Sequence, residues 1–370
     1  MLPSRRQLCL GLTAATTSPL LGGCFPFDEG PDPVGPIAPL KSQVPYPVGT
    51  CAMSGQLDDP DWARLARTHF NQITPEWEMK MEYILTSRAS HGDGYRFDAS
   101  DRIVDWAARH GMGLHATTLI WYSQGEEAFR GLSPADYRQQ FDTYIATVAG
   151  RYAGRVRGWD VVNEAVAENG EGLRQHHWAQ SLGEIDHMVR AFEQAKQADP
   201  NAVLFINDYN LENNPKKGAT FLNLVERLLK AGAPIGGIGT QSHLDIEIPE
   251  GQITRFIGQA AQFGLPLHVS ELDASRRRGD GTPDVRTVSY RIRQQIERVK
   301  ELSFAFHSLP AEQRYALTLW GVRDTDSWLR RGRYDDGKDS PLAFDANGHP
   351  TAIARALSDG WRQDTSSATS

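Results

Sequence analysis

The chain has 370 residues, a formal net charge of −7 and 40% hydrophobic residues, enough apolar material for a sizeable core. The mild acidic excess, with no basic stripe, argues against a nucleic-acid partner. Three cysteines are too few for a fold held by disulfides.

In chain order, Ser4-Arg5-Arg6-Gln7-Leu8 and the apolar stretch Leu8–Leu21 read as an export signal over residues 1–24, too short and too rich in threonine to span a bilayer as a mature helix. The stretch ends in Leu21-Gly22-Gly23-Cys24, which resembles a lipoprotein lipobox. The paired arginines resemble a twin-arginine signal. The expectation is an exported chain at the periplasm or cell surface, lipidated at Cys24, with that anchor as its only membrane contact. Residues 25–45 are dense in proline and read as an extended tether. Residues 46–361 read as one folded domain and residues 362–370 as a frayed tail.

Within the domain, eight short apolar runs alternate with helical patterns: Pro47–Met53, His69–Thr74, Gly113–Trp121, Arg157–Asn163, Ala202–Asn207, Gly236–Gln241, Pro266–Ser270 and Tyr315–Trp320. Continuous runs such as Val203-Leu204-Phe205-Ile206 mark strands covered on both faces. Between them, Asp98–His110 and Thr220–Ala231 carry apolar residues at helical spacing, and Ser133-Pro134 opens a further helix. Strand then helix, repeated eight times, predicts an α/β fold, a (β/α)8 (TIM) barrel as a single catalytic domain. An open doubly wound sheet is the alternative, and the chain lacks its glycine-rich phosphate loop.

Polar and aromatic residues follow the strands. Glu76, Trp77 and Lys80 come after the second, Trp121 and Tyr122 at the third, Asn163 and Glu164 at the fourth, and Tyr209 at the fifth. Gln241 and His243 follow the sixth, Glu271 and Asp273 the seventh, Trp320 and Trp328 the eighth. A parallel barrel gathers such ends on one face. Two carboxyls there, Glu164 and Glu271, are what glycosidic hydrolysis needs, and indoles stack on sugar rings.

The motifs Trp159-Asp160-Val161-Val162-Asn163-Glu164, Ile206-Asn207-Asp208-Tyr209-Asn210, Gly239-Thr240-Gln241-Ser242-His243-Leu244, Ser270-Glu271-Leu272-Asp273 and Asp326-Ser327-Trp328 resemble glycoside hydrolase family 10, the retaining endo-β-1,4-xylanases, from about Val48 to about Trp361. The resemblance implies Glu164 as acid/base and Glu271 as nucleophile, about 5–5.5 Å apart. It also implies that His243 bonds the nucleophile and that Asn163 bonds a sugar 2-hydroxyl. Lys80, Trp121, Gln241, Trp320 and Trp328 would complete the subsite of the attacked sugar, with Glu76 and Tyr209 in flanking subsites. Polysaccharide is the implied partner, no cofactor is needed, and a monomer is expected.

Three positions depart from the family pattern. Trp77 stands where it has asparagine, and Thr117 and Tyr122 where it has histidines; Met81 also replaces a tryptophan. These changes leave the carboxylate pair intact and raise a second reading, an endo-glycosidase for a bacterial exopolysaccharide with a different or acid-substituted backbone. Arg276–Arg278, Arg323, Arg330, Arg331 and Arg333 would suit acidic substituents. A third reading, an inactive sugar-binding protein, has no need of Glu164, Glu271, Asn163 and His243 together. His176, His177 and His187 lack a completing ligand, so no catalytic metal is expected.

Overall fold

The structure, a computed structural model, describes residues 34–86, 94–278, 282, 284–331 and 339–363. The export signal with Cys24, the first part of the tether, Arg333 and residues 364–370 lie outside the described residues. Eight parallel strands close on themselves. They are β1 (Val48–Ala52), β2 (Gln72–Pro75), β3 (Gly113–Trp121), β4 (Gly158–Asn163), β5 (Val203–Asp208) and β6 (Gly237–Thr240), then, after the short β7 (His243–Asp245), β8 (Leu267–Ser275) and β9 (Arg314–Leu319). Strands β1 to β6 pair in sequence order, β1 also pairs with β9, β9 with β8, and β8 with β6, which completes the ring. β7 lies outside the ring and pairs with the upper end of β8.

The apolar runs become strands because both faces are covered: every residue of β1 and β4 is buried. Helices pack outside through apolar stripes, such as Ile103, Val104, Trp106 and Ala107 of helix Asp98–Arg109. The Ser133 side chain caps helix Pro134–Arg151 by accepting from the Asp136 amide. Inside the ring, away from the strand ends that carry the polar residues, His115, Phe205, His268 and Tyr315 pack as a floor, with ring centroids 4.3–5.7 Å apart. Gly237 leaves room for Phe205; a Cβ there would overlap that ring.

Four boundaries differ from the sequence reading. His69 ends helix Pro60–His69, so β2 starts only at Gln72; the Asp59-Pro60 cap sets that helix early enough to absorb it. Helix Pro215–Lys230 starts before Thr220, because the Asn214 side chain caps the Lys216 and Lys217 amides. β8 runs past Ser270 because β7 extends its pairing to Ser275, so Glu271 lies inside a strand and not at its end. The later part of the expected tether packs on the barrel: Leu40 is fully buried, and Ile37 and Val44 lean on the core.

Candidate active site

Glu164 is the first residue beyond β4, and its φ of 58° is a left-handed value. A residue with a Cβ reaches that conformation at a cost of about 1–2 kcal/mol. Neighbours hold it there. Its amide donates to the Asn207 carbonyl at 2.8 Å, its carbonyl accepts from Arg174 Nε at 3.0 Å, and the Val166 amide donates to Asp208 Oδ2 at 3.0 Å. Asn210 and Ser242, after β5 and β6, share the left-handed twist, with φ of 55° and 54°. The reversal turns the chain sharply at the mouth of the barrel.

Both carboxylates are nearly buried, Glu164 at 9% and Glu271 at 7% exposed. Glu164 Oε2 accepts from Trp121 Nε1 at 2.8 Å, and Oε1 from Asn163 Nδ2 at 3.1 Å and Gln241 Nε2 at 3.0 Å. Glu271 Oε1 accepts from Asn207 Nδ2 at 3.2 Å, and the same nitrogen donates to Asn163 Oδ1 at 3.0 Å. Ser270 Oγ donates to Asn207 Oδ1 at 2.8 Å, which fixes the amide's orientation. Thus two amides, Asn163 and Asn207, link the carboxylates of β8 and of the turn after β4 in one hydrogen-bonded chain.

His243 stands on the far side of Glu271, with Nε2 3.5 Å from Glu271 Oε2 and Nδ1 3.0 Å from Asp273 Oδ1. Burial disfavours its charge, but the two carboxylates outweigh burial and raise its pKa to about 10. It is therefore an imidazolium at neutral pH, a fixed positive charge beside Glu271. Trp328 Nε1 donates to Asp273 Oδ2 at 2.8 Å and so braces the pair.

The other predicted residues fall into two groups around this centre. Lys80 Nζ sits among three indoles, 4.3 Å from the ring of Trp77, 5.0 Å from Trp121 and 5.8 Å from Trp320, in cation–π range. Behind Trp77 lies Glu76, 2% exposed, both of whose oxygens are held. Oε1 accepts from Trp77 Nε1 at 3.0 Å and Arg331 Nη1 at 2.9 Å, and Oε2 from Arg331 Nη2 at 3.4 Å. The Cys51 thiol lies 3.8 Å from Oε2, and burial pushes its pKa well above the usual range. Glu76 is therefore a buried anchor for Arg331 and Trp77.

On the other side, Arg174 stacks on Tyr122 at 4.1 Å and donates to the Tyr209 hydroxyl at 2.6 Å. Lys217 lies 3.4 Å from the Tyr209 ring and 3.0 Å from Asp208 Oδ1, with both charges fully buried. Burial raises the Asp208 pKa to about 6 against the pull of Lys217. Thr117 is 1% exposed, inside the barrel. The arginines bind loops together: Arg277 and Arg330 hold Asp339, Arg276 holds Gln295, Arg278 lies 3.9 Å from Glu247, and Arg323 holds Asp59 and Asp326.

Sequence reasoning missed Asn207, Arg174 and the Arg331–Glu76 contact. For Asn207 there was a signal: it precedes the polar run after the fifth strand; its register with Asn163 shows only in the structure. Arg174 and Arg331 lie in loops with no periodicity to place them.

Comparison with known proteins bears on this arrangement. Residues 39–359 match the sequence profile described as Glycosyl hydrolase family 10. The chain is 33% identical over 339 residues to endo-1,4-beta-xylanase A of Cellvibrio japonicus (strain Ueda107), covering 84% of this chain and 54% of that protein. It is 35% identical over 291 residues to endo-1,4-beta-xylanase B of Paenibacillus barcinonensis, covering 76% of this chain and 86% of that protein. The crystal structure of xylanase XynB from Paenibacillus barcinonensis complexed with a conduramine derivative superposes with a TM-score of 0.78 at 32% identity, covering 87% of this chain and 98% of that one. The chain thus spans about half the length of the Cellvibrio protein.

Proposed function

Since the chain belongs to glycosyl hydrolase family 10, we propose that it is a retaining endo-β-1,4-glycanase that hydrolyses β-1,4-xylan or a related polysaccharide. One observation carries this reading: Glu164 and Glu271 end one short chain of amides, yet have unlike neighbours. Glu271 lies beside His243, whose Nε2 is 3.5 Å from Oε2, and is placed to attack the anomeric carbon. Glu164 accepts from neutral donors only, Trp121, Asn163 and Gln241. That environment tolerates a carboxyl that gives a proton to the leaving oxygen and then takes one from water. Asn163 and Asn207 hold both groups before substrate arrives, so little reorganisation is left for the transition state. The indoles of Trp121, Trp320 and Trp328 offer stacking surfaces beside the pair.

The second reading, a polysaccharide other than plain xylan, is favoured by Glu76. Its oxygens are engaged by Arg331 and Trp77, so they are poorly placed to bind sugar hydroxyls in a flanking subsite.

A polysaccharide panel with product analysis tests both, using wild type and Glu271→Ala. Release from xylan by wild type alone supports the first reading, and release only from another polymer supports the second. Release by both proteins places the nucleophile elsewhere. Azide rescue of Glu164→Ala yields a β-glycosyl azide if configuration is retained; an α-azide sinks the assignment of roles.

A further inference from the structure

The floor of the barrel contains a group of side chains that the proposed hydrolysis does not use. His115 on β3, Asp160 on β4 and His268 on β8 are 0%, 1% and 0% exposed. One donor atom from each lies within 4.8 Å of those of the other two. His115 Nε2 approaches Asp160 Oδ1 to 3.0 Å, but neither atom has a hydrogen bond of acceptable geometry. His268 Nδ1 is likewise buried with no partner. Three strands thus bring buried polar atoms without hydrogen bonds into one region of the interior, where unmatched groups are costly.

The opposite ring nitrogens are matched. His268 Nε2 lies 2.9 Å from Thr318 Oγ1, and His115 Nδ1 lies 3.3 Å from the Tyr315 hydroxyl. Each imidazole thus has one ring nitrogen held by a hydroxyl and one free of a hydrogen bond, as in imidazoles oriented for a metal by outer-shell partners. Asp160 has, among the described residues, no Lys or Arg within ion-pair distance, and His115 is its only ion-pair contact.

We infer that His115, Asp160 and a ring nitrogen of His268 form a structural site for a divalent transition ion of the zinc type. Two imidazoles and one carboxylate suit zinc or cobalt and not calcium or magnesium, which prefer all-oxygen shells. Donors on a tetrahedral ion with bonds of about 2.0–2.1 Å are roughly 3.3–3.5 Å apart, a spacing that small side-chain movements supply. A divalent ion also neutralises the buried Asp160. The three side chains are buried, so an ion bound as the chain folds adds to folding stability. The site lies below the carboxylate pair, and hydrolysis does not pass through it.

The test is metal analysis of the full chain after unfolding with chelator and refolding with Zn2+, with Co2+ or with neither. The expected result is about one equivalent of metal retained through gel filtration, visible absorption bands for the cobalt form, and a higher melting temperature than the metal-free protein. His268→Phe, whose ring suits the aromatic floor, and Asp160→Asn should both lose the metal and the melting shift. Folding of each is checked by circular dichroism. Colourless cobalt-refolded protein with no metal and no melting shift overturns the site and leaves a His115–Asp160 ion pair in its place. Full metal retention by either folded variant also overturns it, by placing the ion elsewhere.

Discussion

Arg331 grips both oxygens of Glu76 across 255 residues of sequence, although Glu76 is almost fully buried and Arg331 is one-third exposed. The contact fastens the loop after β9 to the turn after β2. Arg331→Met leaves a buried carboxylate with Trp77 Nε1 as its remaining strong donor. Breaking a buried pair costs about 3–5 kcal/mol, and the partial exposure of Arg331 lowers the expected loss to about 1–3 kcal/mol. Urea unfolding of Arg331→Met, Glu76→Gln and the double variant checks this. The double variant should lose less than the two single losses together.

His243 makes stability fall on the alkaline side. Its folded value of about 10 lies above the ordinary 6.5, so the folded state binds a proton that the unfolded state releases in that interval. The contribution is complete below pH 6.5 and fades as pH rises through 10. Unfolding free energies measured between pH 6 and 10 should decline more steeply for wild type than for His243→Asn. Parallel slopes would remove His243 as the source.

Asp208 and Lys217 form a pair with no solvent contact. Asp208→Asn should lower stability by about 3–5 kcal/mol, because the lysine charge stays behind unpaired. Lys217→Met on that background should restore part of the loss. Both variants also weaken the acceptor for the Val166 amide, so kcat should fall even where melting recovers, which steady-state kinetics below the melting range will show.

Trp121 donates to Glu164 Oε2 as well as lining the Lys80 cage. Trp121→Phe keeps an aromatic face and removes the donor. A lost hydrogen bond to a carboxyl is worth about 1–2 kcal/mol, so kcat/KM should fall roughly tenfold, with a smaller change in binding of unreacted oligosaccharide. Equal losses in both would make Trp121 a general sugar contact.

Local signals disclosed the barrel readily. Apolar runs such as Val203-Leu204-Phe205-Ile206 mark strands covered on both faces, and eight of them alternating with helices favour a barrel over an open sheet. Glu164 and Glu271 were legible because polar residues collect where those runs end. Pairing across the ring was less visible. Nothing in the sequence around Lys217, beside Pro215 and Lys216, signals that its ammonium meets Asp208 inside the fold. Glu271 lies within its strand only because β7 lengthens β8, and that register is set by residues distant in sequence. His115 and His268 look like isolated core histidines until closure brings β3 and β8 to opposite sides of one floor.

Cys51 supplies a clock for the part of the site around Glu76 and Arg331. Its thiol is 2% exposed against Glu76, and burial keeps it from ionising, so a disulfide reagent meets a reactive sulfur only when the Arg331–Glu76 fastening opens. In the described structure it is the one free thiol. The slow phase of its labelling therefore times how often this part opens, and an oligosaccharide that steadies the Arg331–Glu76 contact on binding should lengthen that phase without altering the reagent.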